Sequence, residues 1–230
     1  YYLTSAQGGT AGPATSHMVV SARSKSVKGP WENSPYNPIV RTYSAEEQWW
    51  SKGHGTVIDD LDGNWWIVYH GYLKNAHTLG RQTLIDPVEW TEDGWFRVDK
   101  NRKPLKVNPG FEGMELSDDF SSNQLGIQWT RWGKFGEGDI VFKDGKLSLN
   151  GRGKSPWDGR KLLLTVTDRN YQLQVEVNLE KGGNGGLIWF YRESVYAGIT
   201  ADKEKFSIHI NARVKETLEN TFGEHFFLNL

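Results

Sequence analysis

The sequence predicts an all-β protein made of short antiparallel meanders. Three observations predict it: many β-prone runs broken by turn residues, 26 glycines, and almost no helix signal. Dense glycine marks tight turns, because it takes positive φ at no steric cost. Tyr1-Tyr2-Leu3-Thr4, Met18-Val19-Val20-Ser21-Ala22, Gly55-Thr56-Val57-Ile58 and Trp65-Trp66-Ile67-Val68-Tyr69 read as strands. Asp60-Leu61-Asp62-Gly63-Asn64 joins the last two as a hairpin turn, with Asp-Gly where the chain reverses. Such meanders suit a propeller or a sandwich.

The pattern changes past the middle of the chain. Residues 101–110 hold two prolines and little periodicity, as expected of a linker or strap between domains. A boundary near residue 114 is therefore expected, with domains over 1–114 and 115–230. In Tyr171-Gln172-Leu173-Gln174-Val175-Glu176-Val177-Asn178-Leu179, apolar and polar residues alternate strictly, as on a half-buried antiparallel strand. Gly182-Gly183-Asn184-Gly185-Gly186 turns into a further strand over 187–191, and Phe226-Phe227-Leu228-Asn229-Leu230 reads as another. This half is expected to be a β-sandwich, and the final strand leaves open that it is cut short.

Charge and composition narrow the function. Lys plus Arg number 27 and Asp plus Glu 28, a formal net charge of −1. Nucleic acid and anionic membrane surfaces both demand a concentrated basic face, so neither is an expected partner. No apolar run approaches the roughly 20 residues of a membrane helix. The absence of cysteine excludes a disulfide framework, a thiolate metal site and a thiol nucleophile, and it is compatible with a periplasmic or secreted setting. The chain opens inside a strand without an initiator Met or a signal segment, so a preceding segment is expected. With 11 Trp, 9 Tyr and 10 Phe, the chain is rich in flat apolar faces, which serve either β cores or sugar stacking.

Several spaced motifs carry more. They are Gly8-Gly9-Thr10, His17 leading into Ala22-Arg23-Ser24, Gly29-Pro30-Trp31, Gly53-His54-Gly55, Gly63-Asn64-Trp65-Trp66, Leu79-Gly80-Arg81-Gln82-Thr83, and Pro87-Val88-Glu89-Trp90 followed by Asp93-Gly94-Trp95. In this order the first hundred residues resemble family 43 glycoside hydrolases, five-bladed β-propeller enzymes that act as β-xylosidases, α-L-arabinofuranosidases and arabinanases. Residues from about Leu116, with Asp118-Asp119-Phe120, Gln128-Trp129 and Tyr196-Ala197-Gly198-Ile199, resemble the concanavalin-like, jelly-roll sandwich that follows the propeller in many of these enzymes. The resemblance implies the C-terminal blades of a propeller plus that sandwich, acting on xylo- or arabino-oligosaccharides of hemicellulose. It also implies inverting hydrolysis, with the catalytic carboxylates in an upstream propeller segment and none in this chain, which alone is expected to be inactive. The other reading is a non-catalytic carbohydrate-binding or structural fragment.

Within the chain the resemblance assigns Arg81 to the first sugar subsite, where a fork of fixed donors holds hydroxyls. It directs His54 toward the propeller axis, facing water or a calcium ion, which prefers oxygen ligands. Trp49 and Trp50, in the polar stretch 46–51, are either stacking platforms on a loop over the cleft or packing beneath it. His17, His70 and His77 lack a recognised metal-ligand spacing, and Glu46 and Glu47 are adjacent on one stretch rather than set across a sugar. In the second half, Arg131-Trp132-Gly133-Lys134-Phe135 and Ser155-Pro156-Trp157-Asp158-Gly159-Arg160 are loop-like aromatic stretches and further candidates.

Overall fold

A computed structural model describes residues 1–10, 14–100, 114–166, 168–180 and 182–230. The chain divides into two compact units, Tyr1–Phe111 and Glu112–Leu230. The expected strap over 101–110 lies outside the described residues. All regular structure among the described residues is β, apart from one 3-10 turn at His77–Leu79. Among the described residues no helix is long and apolar enough to cross a membrane.

Unit 1 holds three antiparallel sheets. In the first, β1 (Tyr2–Gln7) pairs with β2 (Met18–Arg23), which also pairs with the short β3 (Glu32–Asn33) and β4 (Val40–Arg41). The second is the meander β5 (Trp49–Asp59), β6 (Trp65–Leu73) and β7 (Arg81–Pro87). The third is the short pair β8 (Glu89–Trp90) and β9 (Phe96–Arg97). The β5–β6 turn forms as its sequence requires: Gly63 takes φ 80° and donates its N–H to the Asp60 carbonyl. The Asp60 carboxylate accepts the N–H groups of Asp62 and Asn64 and the Trp66 indole N–H. These bonds hold its pKa down at about 2 against the modest cost of burial.

Alternation decides which residues reach the core. Ile67 and Tyr69 on β6 point inward to meet Val19, Ile39, Val40, Leu84 and Phe96, so one cluster unites all three sheets. Inside it the Tyr69 hydroxyl donates to Asp86 Oδ2 at 2.6 Å, and both residues are buried. Burial first, then this bond and the carboxylate charge, make the phenol harder to ionise.

Unit 2 is a two-layer arrangement. One layer is β15 (Gly185–Arg192), β16 (Val195–Ala201), β17 (Lys205–Ile210) and β18 (Arg213–Glu219) in sequential antiparallel order. The other is β14 (Gln174–Asn178) paired with β19 (His225–Asn229). Leu179, Ala201, Phe226 and Leu228 form the core between them, with Val175, Val177, Leu187, Ile199 and Phe206 packed around. The alternation over 173–179 is thus realised, although Tyr171 lies outside the strand and is exposed. Two further pairs complete the unit: β10 (Trp129–Trp132) with β13 (Lys161–Leu164), and β11 (Ile140–Lys143) with β12 (Lys146–Leu149).

Tyr69→Phe removes the hydroxyl from the Asp86 pair without creating a void. A loss of about 1–3 kcal/mol is expected, the usual penalty for stripping one partner from a buried polar pair. Urea unfolding of the 230-residue chain, followed by tryptophan fluorescence, measures it; an unchanged midpoint would show that the bond adds nothing to the core.

Candidate functional site

The site is built where β5 departs from regular pairing. Its register against β6 shifts between Trp50 and Gly53 and again between Gly53 and Thr56. At the shifts Ser51 takes φ 52° and His54 φ 58°, a left-handed conformation that β-bulges impose. Bulges bend a strand and re-aim its side chains. Ser51 turns inward, fully buried, with Oγ 2.7 Å from Thr15 Oγ1, while His54 turns out to the surface.

Between the two shifts Gly53 lies opposite His70. A Cβ on Gly53 would sit 2.2 Å from the His17 ring, closer than any real contact. Glycine is required there so that the His17 imidazole can lie flat against His70, ring centroids 5.2 Å apart and planes within 15°. The His54 ring is 5.7 Å from that of His70, tilted by 34°. Imidazoles from β5, from β6 and from the residue preceding β2 are thus gathered around His70.

The surroundings of His17 and His70 differ. His17 Nδ1 faces the Gln7 carbonyl at 3.1 Å and the Gly8 carbonyl at 3.3 Å, so it carries the hydrogen and donates it. His17 Nε2 and both ring nitrogens of His70 are buried with no hydrogen-bond partner among the described residues. Burial, then the Arg81 guanidinium, then the neighbouring imidazoles depress the His70 pKa from 6.5 to about 4. His70 is therefore neutral at neutral pH.

Arg81 begins β7 opposite Tyr72, on the diagonal from His70. It is exposed, and its Nη1 donates to Thr10 Oγ1 at 3.5 Å, within the Gly8-Gly9-Thr10 stretch. The structure thus brings Arg81, Thr10, His54, His70 and His17 to one place. Sequence spacing alone did not single out His70 as part of this group. The available signal was strand alternation, which puts His70 on the face opposite the core residue Tyr69.

Other candidates fare differently. Trp49 and Trp50 are not loop platforms, because both open strand β5. Trp49 packs against the unit 1 core, and the Trp50 indole N–H donates to the Ala45 carbonyl at 3.0 Å. Glu47 accepts from Lys52 Nζ at 2.7 Å and from two backbone N–H groups, while Glu46 pairs with Lys74 at 3.0 Å. For Glu47, burial raises the pKa, but these bonds outweigh it and hold the carboxyl below its ordinary value. Trp95 of the Asp93-Gly94-Trp95 motif is buried under the Arg23 guanidinium, 4.0 Å from its ring, and is structural. His77 sits in the 3-10 turn, apart from the stacked rings.

Calcium takes six to eight oxygens, and around His54 this chain supplies imidazoles, the Arg81 guanidinium and the Thr10 hydroxyl, so a calcium ion beside His54 would be held mostly by waters. Among the described residues no set of three His, Asp or Glu is placed to hold a metal.

Residues 1–96 match the model of Glycosyl hydrolases family 43. The chain is 37% identical over 142 residues to the non-reducing end alpha-L-arabinofuranosidase BoGH43B of Bacteroides ovatus, a match covering 56% of this chain and 26% of that protein. It is 36% identical over 114 residues to a xylosidase/arabinosidase of Butyrivibrio fibrisolvens, covering 48% of this chain and 20% of that one. The crystal structure of the GH43 protein BlXynB from Bacillus licheniformis superposes with a TM-score of 0.82 at 26% identity, covering all of this chain and 49% of that one. The chain therefore spans about a quarter of the curated relatives' length and about half of the solved structure's.

Because His70 has its pKa near 4 in the folded chain and 6.5 when unfolded, the unfolded chain binds the extra proton between those values. Stability is expected to fall as pH drops from about 6.5 toward 4, with no His70 contribution above that window. Chemical denaturation across pH 4–7 on wild type and His70→Gln tests this, and an equal slope in both would assign the dependence elsewhere.

Proposed function

We propose that this chain is part of an enzyme that hydrolyses xylose- or arabinose-containing glycosides of hemicellulose, a reading supported by the match of residues 1–96 to the model of Glycosyl hydrolases family 43. The observation that carries the reading is Arg81, exposed beside three imidazoles inside the matched segment. Its guanidinium keeps its charge at any working pH and offers several N–H donors in fixed directions. With His70 neutral, Arg81 meets the sugar without a second fixed cation from that imidazole. Donors of this kind speed hydrolysis when their bonds to ring hydroxyls strengthen as the oxocarbenium-like transition state forms.

Inverting hydrolysis further needs a carboxylic acid to protonate the leaving oxygen and a carboxylate to activate water, roughly 6.5–9.5 Å apart. Near the site Glu46 and Glu47 are tied to Lys74 and Lys52, and Asp86 is bonded inside the core. We assign the acid/base pair to an upstream propeller segment, with which this chain would form the complete pocket. A xylo- or arabino-oligosaccharide is the proposed ligand, and calcium enters no step.

The test is a fusion of this chain behind the upstream blades of BlXynB, assayed on aryl β-xyloside and aryl α-L-arabinofuranoside. Activity is expected in the fusion and not in the 230-residue chain. Arg81→Ala in the fusion should lower kcat/KM by about 2–4 kcal/mol, roughly 30- to 1,000-fold. A folded but inactive fusion would favour a non-catalytic, carbohydrate-binding role; a fully active Arg81→Ala would remove the arginine from the subsite.

A further inference from the structure

The two aromatic stretches of unit 2, around Trp132 and Trp157, line one cleft of about 300 Å³, a size in the range of small-ligand sites. Trp157 is 52% exposed and Trp132 38%, so indole surface is open to a ligand. Trp132 stands on β10 and donates its indole N–H to Glu193 Oε1 at 3.0 Å, which fixes that ring, while the Trp157 backbone N–H donates to Ser155 Oγ at 3.2 Å.

Beneath them a buried charge network holds the walls. Arg160 pairs with Asp139 at 2.6 Å, both side chains only about one-tenth exposed. It also donates to the Lys134 carbonyl at 2.8 Å and the Asn150 carbonyl at 2.7 Å, tying three segments together. Lys161, buried at 7% exposure, lines the cleft with its ammonium 4.9 Å from the Phe190 ring and donating to the Gly159 carbonyl at 2.6 Å. Burial lowers its pKa, partly offset by Glu193 and Asp158.

The sign of the lining is positive. With the Arg160 charge taken by Asp139, Lys134, Arg152 and Lys161 stand against two carboxylates of the lining, Asp158 and Glu193. Both carboxylates already accept hydrogen bonds, Asp158 from the Lys154 and Ser155 N–H groups and Glu193 from Trp132. Lys134 and Arg152 are exposed at the rim. Open indole faces fit the C–H face of a pyranose, and surplus cations fit an anion carried on it.

We propose that this cleft binds a uronic acid residue of a polysaccharide. The sugar ring stacks on Trp157, and its carboxylate is met by Arg152 and Lys134, over a base kept rigid by Arg160 and Asp139. The site belongs to unit 2 and stands whether or not the hydrolase reading holds.

Titration of the 230-residue chain with a glucuronate-bearing xylo-oligosaccharide and with unsubstituted xylotetraose, read by calorimetry and tryptophan fluorescence, tests it. The acidic sugar is expected to bind about tenfold or more tightly than the neutral one, with the advantage shrinking as salt rises. Trp157→Ala should weaken both sugars, whereas Arg152→Ala should remove only the preference for the acidic one. Circular dichroism and the thermal midpoint check that each variant folds; if either fails, Trp157→Phe and Arg152→Gln replace it, and the salt dependence of wild type stands as a separate measure. Equal affinity for the two sugars, no binding up to about 10 mM, or an unaltered preference in Arg152→Ala would each overturn the proposal.

Discussion

The candidate site of the first unit depends on one steric constraint, the flat packing of His17 against His70 across Gly53. The imidazole occupies the space where any other residue at 53 would place its Cβ. Because that glycine lies between two register shifts, the same stretch of β5 buries Ser51 and exposes His54.

Strand β6 couples this site to the core. Its inward residues, Ile67 and Tyr69, join the cluster that unites three sheets, and its opposite face presents His70. Site and core thus share one backbone, with packing on one side holding the other in place. Electrostatics divide along the same line. The core side uses a neutral phenol against a carboxylate, and the site side keeps His70 neutral beside a guanidinium. In both, burial sets which protonation state survives.

The second unit solves a different problem with similar means. Its hydrophobic core is small, formed by four buried residues and their neighbours between two layers. Away from that core the loops around Trp132 and Trp157 are organised by Arg160 instead, whose pair with Asp139 is shielded and whose remaining donors reach backbone carbonyls. A shielded bidentate pair supplied with extra hydrogen bonds fixes geometry well, whatever its net contribution to stability. Here two indoles, Trp132 and Trp157, stay exposed.

Much of this was legible in the sequence, because strand period and turn chemistry are local. The Asp60–Asn64 hairpin, the alternation over 173–179 and the all-β class needed only neighbouring residues to be read. Arg81 and His54 were marked by motifs, since their glycine neighbours and spacing are themselves sequence features. What sequence could not decide was which residues meet. Trp49 and Trp50 could be read as a platform or as packing, and the start of β5 set Trp49 against the core and tied the Trp50 indole to Ala45. His70 was only one of several scattered histidines until two register shifts and one missing Cβ brought it within reach of both His17 and His54. The cleft of the second unit likewise joins segments some 25 residues apart through Arg160 and Lys134. Contacts of that kind arise from register and long-range packing, and only the tertiary structure sets them.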